Sequence, residues 1–211
     1  MKNVNEFRYF VFDFDGTLVD SNEVKEKTFF EVVSGLYNGI DIMKLTLDHC
    51  KKDRYQIFDY FKLTYSKTFP DKANKINVDD LLNKYSCMTD LKVSQLKEIE
   101  GARELLIFLK KKEKKIFLNS LTPYENLIKI INKKKWTKFF NGIYGSPESK
   151  LNNLYKIKKK VKAKEKDFLI IGDNSDDKKS AEDFGASFYG VGSKIKINPK
   201  KNLLKDLINK I

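Results

Sequence analysis

Two places in the chain deliver carboxylates where a hydrophobic stretch ends. YFVFDFDGTLVDS carries Asp13 and Asp15 one residue apart, and LIIGDNSDD carries Asp173, Asp176 and Asp177. If the first stretch ran on as a straight strand, Asp13 and Asp15 would point the same way, because side chains alternate along extended backbone. Two carboxylates 4 Å apart repel by about 4 kcal/mol at an effective dielectric near 20. Such a pair needs a cation, a shared proton or two different environments, and Gly16 permits a sharp exit just after it. Oxygen-only ligands, several of them carboxylates, suit Mg2+ and not zinc. Ser120 closes KIFLNS, and Lys150 follows IYGSPES at the start of a helical stretch. A hydroxyl, an ammonium and a divalent cation are what a phosphate dianion needs around it. Alone, Lys150 would be one surface lysine among many; its place in the series of strand ends gives it meaning.

Short apolar runs must position these groups. RYFVFDFDG (8–16), KIFLNS (115–120), NGIYGS (141–146), DFLIIGD (167–173) and SFYGV (187–191) read as buried strands, rich in β-branched and aromatic residues with turn signals after them. Between them lie helical patterns, such as GARELLIFLKKKEKK with Leu105, Leu106 and Leu109 on one face, and KLNNLYKIKKKV with Leu151, Leu154 and Ile157. The alternation predicts an α/β fold: a Rossmann-like parallel sheet with helices on both faces, whose ligands bind beyond the carboxyl ends of the strands. Both acidic clusters then belong at the same edge.

The stretch from about 20 to 100 breaks the alternation and shows no strand pattern. It reads as a helical insert, giving a core of residues 1–19 and 100–211 and an inserted domain of 20–99. Asp20 and Ser21 read as caps of its first helix. Tyr55, Phe58, Phe61 and Tyr65 read as one buried stripe, and His49, the only histidine, as a surface residue.

The chain has 211 residues, 41% of them hydrophobic, which is enough for a real core. No window of eighteen apolar residues occurs, so no membrane span is expected. The start of the sequence does not read as a secretory signal, and Cys50 and Cys87 have no C-x-x-C spacing. A cytoplasmic protein with reduced thiols and no membrane partner is the expectation. The net charge of +13 comes almost wholly from lysine, since Arg8, Arg54 and Arg103 are the only arginines. Phosphate recognition favours the planar fork of arginine, so the charge predicts a general attraction for polyanions and not a dedicated nucleic-acid site.

In order and position, the motifs D-F-D-G-T-L-V-D-S, L-N-S, G-S-P-E-S-K and I-I-G-D-N-S-D-D resemble the four signature motifs of the haloacid dehalogenase-like hydrolase superfamily. The insert, directly after the first motif, resembles the subgroup with an α-helical cap, to which phosphoglycolate phosphatase and β-phosphoglucomutase belong. The resemblance implies Asp13 as nucleophile and Asp15 as general acid and base. Ser120 and Lys150 would bind the phosphoryl group, helped by backbone N–H groups near Phe14, Gly16 and Leu121. Mg2+ would be held by Asp13, the Asp15 carbonyl, Asp173 and, directly or through water, Asp177. Dehalogenases lack an aspartate at the position of Asp15, and P-type ATPases have threonine there, so its presence implies a phosphatase or a phosphomutase.

The implied reaction is hydrolysis of a small phosphorylated metabolite, a sugar phosphate or a phosphoglycolate-like acid, through an aspartyl-phosphate. Phosphomutase chemistry and a polyanion-binding or nucleic-acid end-processing role are the alternatives. Arg54 could reach a second anionic group of the substrate, and Asn22 and Lys25 could face the site from the hinge side.

Overall fold

The computed structural model describes residues 4–50, 53–74, 76–192 and 204–209. Five strands, β1 (Tyr9–Phe12), β2 (Lys115–Pro123), β3 (Gly142–Ser146), β4 (Phe168–Gly172) and β5 (Ser187–Gly190), form one sheet in the order β3-β2-β1-β4-β5. Every neighbouring pair is parallel. The register sets Phe12 opposite Leu118 on one side and Ile171 on the other. The residues that follow these three therefore emerge side by side. Strand order reverses at β1, where the chain has built outward through β2 and β3 and then returns to add β4 on the opposite flank. A crevice opens at such a reversal, and Asp13 and Asp173 stand on its two sides.

Helices α6 (Ala102–Lys111), α7 (Tyr124–Lys133), α8 (Lys150–Val161) and α9 (Ser175–Phe184) connect the strands, and α10 (Leu204–Ile208) lies against α6. Right-handed crossovers put α6 and α7, which lead outward, on one face of the sheet and α8, which leads back, on the other. Leu154 and Ile157 of α8 and Ala181 and Phe184 of α9 accordingly pack with Val11, Phe117 and Ile170. The alternate residues Phe10, Phe12, Ile116, Leu118 and Ile171 are fully buried on the opposite face, as are Leu105, Leu106 and Leu109 of α6. Leu151, expected on the buried stripe of α8, is only half-buried.

Contacts divide the chain into two compact units, Asn22–Val93 and the remainder. The insert consists of α1 (Asn22–Val33), α2 (Gly39–His49), α3 (Arg54–Thr68), α4 (Pro70–Ala73) and α5 (Val78–Gln95), with no strand among its described residues. Its core gathers Phe29, Phe58, Phe61, Tyr65 and Tyr85, and the rings of Phe29 and Tyr85 stack with centroids 4.3 Å apart. Tyr55 does not join them and is 50% exposed. Asp53 caps α3 by accepting the Gln56 N–H. Tyr55 therefore sits in the first turn, and Ile57 takes the buried place beside Phe58. His49 is exposed, as expected. No helix among the described residues is long and apolar enough to cross a membrane.

Candidate active site

β1 stops at Phe12, earlier than the apolar pattern implied. The chain then turns. The N–H groups of Leu18 and Val19 donate to the Phe14 carbonyl at 3.0 and 3.1 Å, and Gly16, at φ 78°, donates to the Val19 carbonyl at 2.7 Å. Asp13 and Asp15 therefore do not share one face of a straight strand, and the turn gives the two carboxylates different surroundings. Asp13 is buried at the sheet edge, its own N–H donating to the Ile171 carbonyl at 2.8 Å.

Asp15 is held by hydroxyls. Ser21 Oγ donates to one carboxylate oxygen at 2.5 Å and Thr122 Oγ1 to the other at 2.8 Å. The Ser21 hydroxyl, expected to cap α1, is thus bound to Asp15. Thr122 was not among the expected residues. It lies two positions past Ser120, where the pairing of β2 with β3 shifts register. Ser120 is buried, and its Oγ accepts the Thr122 N–H at 3.1 Å. Phe14, buried, and Leu121, exposed, directly follow Asp13 and Ser120.

Lys150 is the first residue of α8, whose N-cap Ser149 accepts the Asn152 N–H. Its ammonium is buried and donates to Asp13 Oδ1 at 2.8 Å and Asp177 Oδ1 at 2.5 Å. Burial opposes that charge, but the attraction of Asp13 and Asp177 outweighs it and holds the ammonium well above its ordinary value. Asp177 is delivered by α9, where Asn174 accepts the N–H groups of Asp176 and Asp177. Its side chain folds back so far that a Cβ on Gly172 would meet its carboxylate at 2.3 Å. Only glycine fits there. Asp176 is exposed.

Asp13, Asp173 and Asp177 bring carboxylate oxygens within 4.8 Å of one another, all three residues buried. Burial, together with Asp177 and Asp15, pushes the Asp13 carboxyl up to about 8 against the pull of Lys150. Burial and Asp173 likewise raise Asp177. One ammonium cannot neutralise three carboxylates, and Asp177 Oδ2 is buried with no donor. An all-oxygen set with that excess of negative charge fits a hard divalent cation.

Two buried amides fix the lysine. Asn119 Nδ2 donates to the Lys150 carbonyl at 2.9 Å, while Asn153 Nδ2 donates to Asn119 Oδ1 at 3.0 Å and to the Gly145 carbonyl at 3.4 Å. These bonds tie the start of α8 to β2 and β3. Asn153→Ala leaves two buried acceptors short of a donor and should destabilise the fold by about 1–3 kcal/mol. A urea melt against the wild type checks this, and an unchanged midpoint would contradict it.

Of the insert residues singled out from sequence, Arg54 donates to Ser86 Oγ at 3.2 Å and stacks over Tyr85 with its Cζ 5.1 Å from the ring centre. These partners account for it without a ligand. Asn22 opens α1.

Solved structures share this fold. A protein described as a predicted phosphoglycolate phosphatase from Haemophilus somnus has a TM-score of 0.70 at 16% identity, covering 97% of each chain. A protein assigned as a HAD hydrolase from Bacillus subtilis, solved bound to magnesium, has a TM-score of 0.69 at 18% identity over 96% of this chain and 97% of its own. A protein assigned as a β-phosphoglucomutase from Thermotoga maritima has a TM-score of 0.69 at 17% identity, covering 92% and 89%. At such identities the likeness shows the fold. No curated protein matches the chain. The family model described as haloacid dehalogenase-like hydrolase matches residues 10–191, from the first strand through the last. The chain belongs to the haloacid dehalogenase-like hydrolase family.

Proposed function

We propose that the protein is a Mg2+-dependent phosphomonoester hydrolase acting on a small phosphorylated metabolite through an aspartyl-phosphate. The observation that carries this is the division of labour between two aspartates. Asp13 is buried beside Lys150, whereas Asp15 is clasped by two hydroxyls. In this reading Asp13 Oδ attacks phosphorus and the ester oxygen leaves with a proton from Asp15. The Asp15 carboxylate then takes a proton from the water that hydrolyses the aspartyl-phosphate. A hydroxyl can accept as well as donate, so Ser21 and Thr122 can hold the Asp15 carboxyl in either protonation state. Lys150 neutralises charge on the phosphoryl oxygens, and the Ser120 O–H donates to them.

Asp13, Asp173 and Asp177, with the Asp15 carbonyl, would hold Mg2+, whose charge lets an anionic nucleophile approach an anionic phosphate. Family membership, the phosphatases among the structural neighbours and the buried acidic cluster support the reading.

The test is phosphate release from a panel of sugar and small-acid phosphates and from an aryl phosphate, with wild type and Asp15→Asn. Wild type should release phosphate, with its highest turnover on one small metabolite. Asp15→Asn should slow alkyl esters by roughly 10²–10⁴-fold. It should slow the aryl ester far less, because a phenolate leaves without a proton. Equal losses on both substrates would remove Asp15 from the acid role. Isomer formation without phosphate release would replace the hydrolase by a mutase.

A further inference from the structure

The charge of the chain is not spread evenly. The insert holds 12 basic and 11 acidic residues, and the rest of the chain 30 and 18. Within the sheet unit the lysines concentrate where α6, α7 and α8 hand over to β2, β3 and β4. Residues 110–115, 133–138 and 158–166 contain 15 lysines and, as their only acidic residues, Glu113 and Glu165. Twelve of those lysines are exposed. Glu165 is already taken by Lys158.

In a parallel sheet every helix-to-strand connection arrives at the same edge, the amino-terminal one. The order β3-β2-β1-β4 makes these strand ends neighbours, with exposed Arg8 leading into β1 between them. At about 4.8 Å per strand the band is roughly 15 Å wide. It also has depth, because α6 and α7 lie on one face of the sheet and α8 on the other. The opposite edge carries the aspartates.

We propose that this amino-terminal edge is a docking surface for an anionic lipid bilayer, held by charge alone. Two features favour a bilayer over nucleic acid. Trp136 and Phe139, aromatic residues of the middle connection and its sequel, are buried, so they form no platform on which bases could stack. The three connections contain no arginine, and Arg8 is the one arginine beside them, which leaves little bidentate readout of phosphate or guanine. What remains is a broad array of point charges, which matches a plane of anionic headgroups. The absence of a spanning helix does not bear on this, since attraction at a surface needs none. Docked this way, the edge bearing Asp13 faces away from the membrane.

The connections offer a clean test. Each of the three helices is followed by a non-glycine residue in the left-handed region, Glu113 (φ 55°), Lys135 (φ 57°) and Lys162 (φ 51°). Glycine is preferred in that conformation. Lys135→Gly with Lys162→Gly therefore removes two charges while relieving the backbone, and its melting temperature should not fall.

The full chain is sedimented with phosphatidylcholine vesicles and with equal mixtures of phosphatidylcholine and phosphatidylglycerol. Binding should require the anionic lipid. It should vanish as salt rises from about 0.1 M to about 1 M and the screening length shrinks from about 10 Å to about 3 Å. Each lysine near an anionic surface strengthens partitioning by roughly fivefold, so the double variant should bind about 20- to 30-fold more weakly. Lys44→Ala with Lys67→Ala, in the near-neutral insert, should bind as wild type does. Failure to bind the anionic vesicles would overturn the proposal. So would undiminished binding by the glycine variant, or displacement from vesicles by duplex DNA at equal phosphate concentration.

Discussion

Asp13→Asn should take turnover to background, a loss of roughly 10³–10⁶-fold of the kind seen when a covalent nucleophile is removed, while the chain stays folded. The amide is nearly isosteric with the carboxylate, so packing at the end of β1 survives. Its electrostatics favour the substitution too. Burial and the neighbouring carboxylates already push the Asp13 carboxyl up to about 8, so a neutral group is easily housed there. Lys150 keeps Asp177 as its partner at 2.5 Å. The check pairs phosphate release with a thermal melt. Wild-type turnover in the variant would remove Asp13 from the nucleophile's role. A collapsed melt would mean that the lost activity reports folding, and Asp13→Ser, which also lacks a carboxylate, would then be compared.

The part of this site that was legible in the sequence is the part dictated by sheet topology. Asp13 and Asp173 follow strands and Lys150 opens a helix at one edge, so reading the strands was enough to place them there; Ser120, expected at a strand end, lies inside β2, which runs on to Pro123. The groups that aim these residues were not legible. Ser21 stands just ahead of a helix, where a hydroxyl ordinarily caps, and nothing in a linear reading says that a tight turn brings Asp15 back to it. Thr122 lies on β2, whose ladder shifts register before its end, and alternation cannot be carried across such a shift.

Asn119 and Asn153 belong to a strand and a helix 34 residues apart. Asn153 stands on a helix that carries exposed lysines, yet it is 2% exposed. Gly172 ends the apolar run of β4, and its reason is the Asp177 carboxylate lying where a Cβ would be. The insert shows the same division. Its helices and aromatic core followed from periodicity, but the placing of Tyr55 depended on where the Asp53 cap begins the helix.

Magnesium should stabilise the chain, and should do so more at pH 8 than at pH 5. The Asp13 carboxyl has an ordinary value of 3.8 and is pushed up to about 8 in the folded chain, first by burial. For an acid shifted this way the unfolded chain gives up its proton before the folded one does. The contribution to stability is therefore intact below about 4, and is lost progressively as the pH rises from about 4 to about 8. A cation held by Asp13, Asp173 and Asp177 opposes that loss, because it stabilises the ionised form. At pH 5 the ion must first displace a proton from Asp13; near pH 8 it competes with far fewer.

With Mg2+ at about 100 times its dissociation constant the gain is about 2.7 kcal/mol. For a chain of this size that is roughly 5–10 °C in melting temperature. Calorimetry with and without Mg2+ at the two pH values measures it. Asp173→Asn should remove most of the Mg2+-dependent shift at pH 8 while leaving the metal-free melt close to that of the wild type. Equal shifts at both pH values would mean that the ion binds without displacing the Asp13 proton. An undiminished shift in Asp173→Asn would place the ion elsewhere.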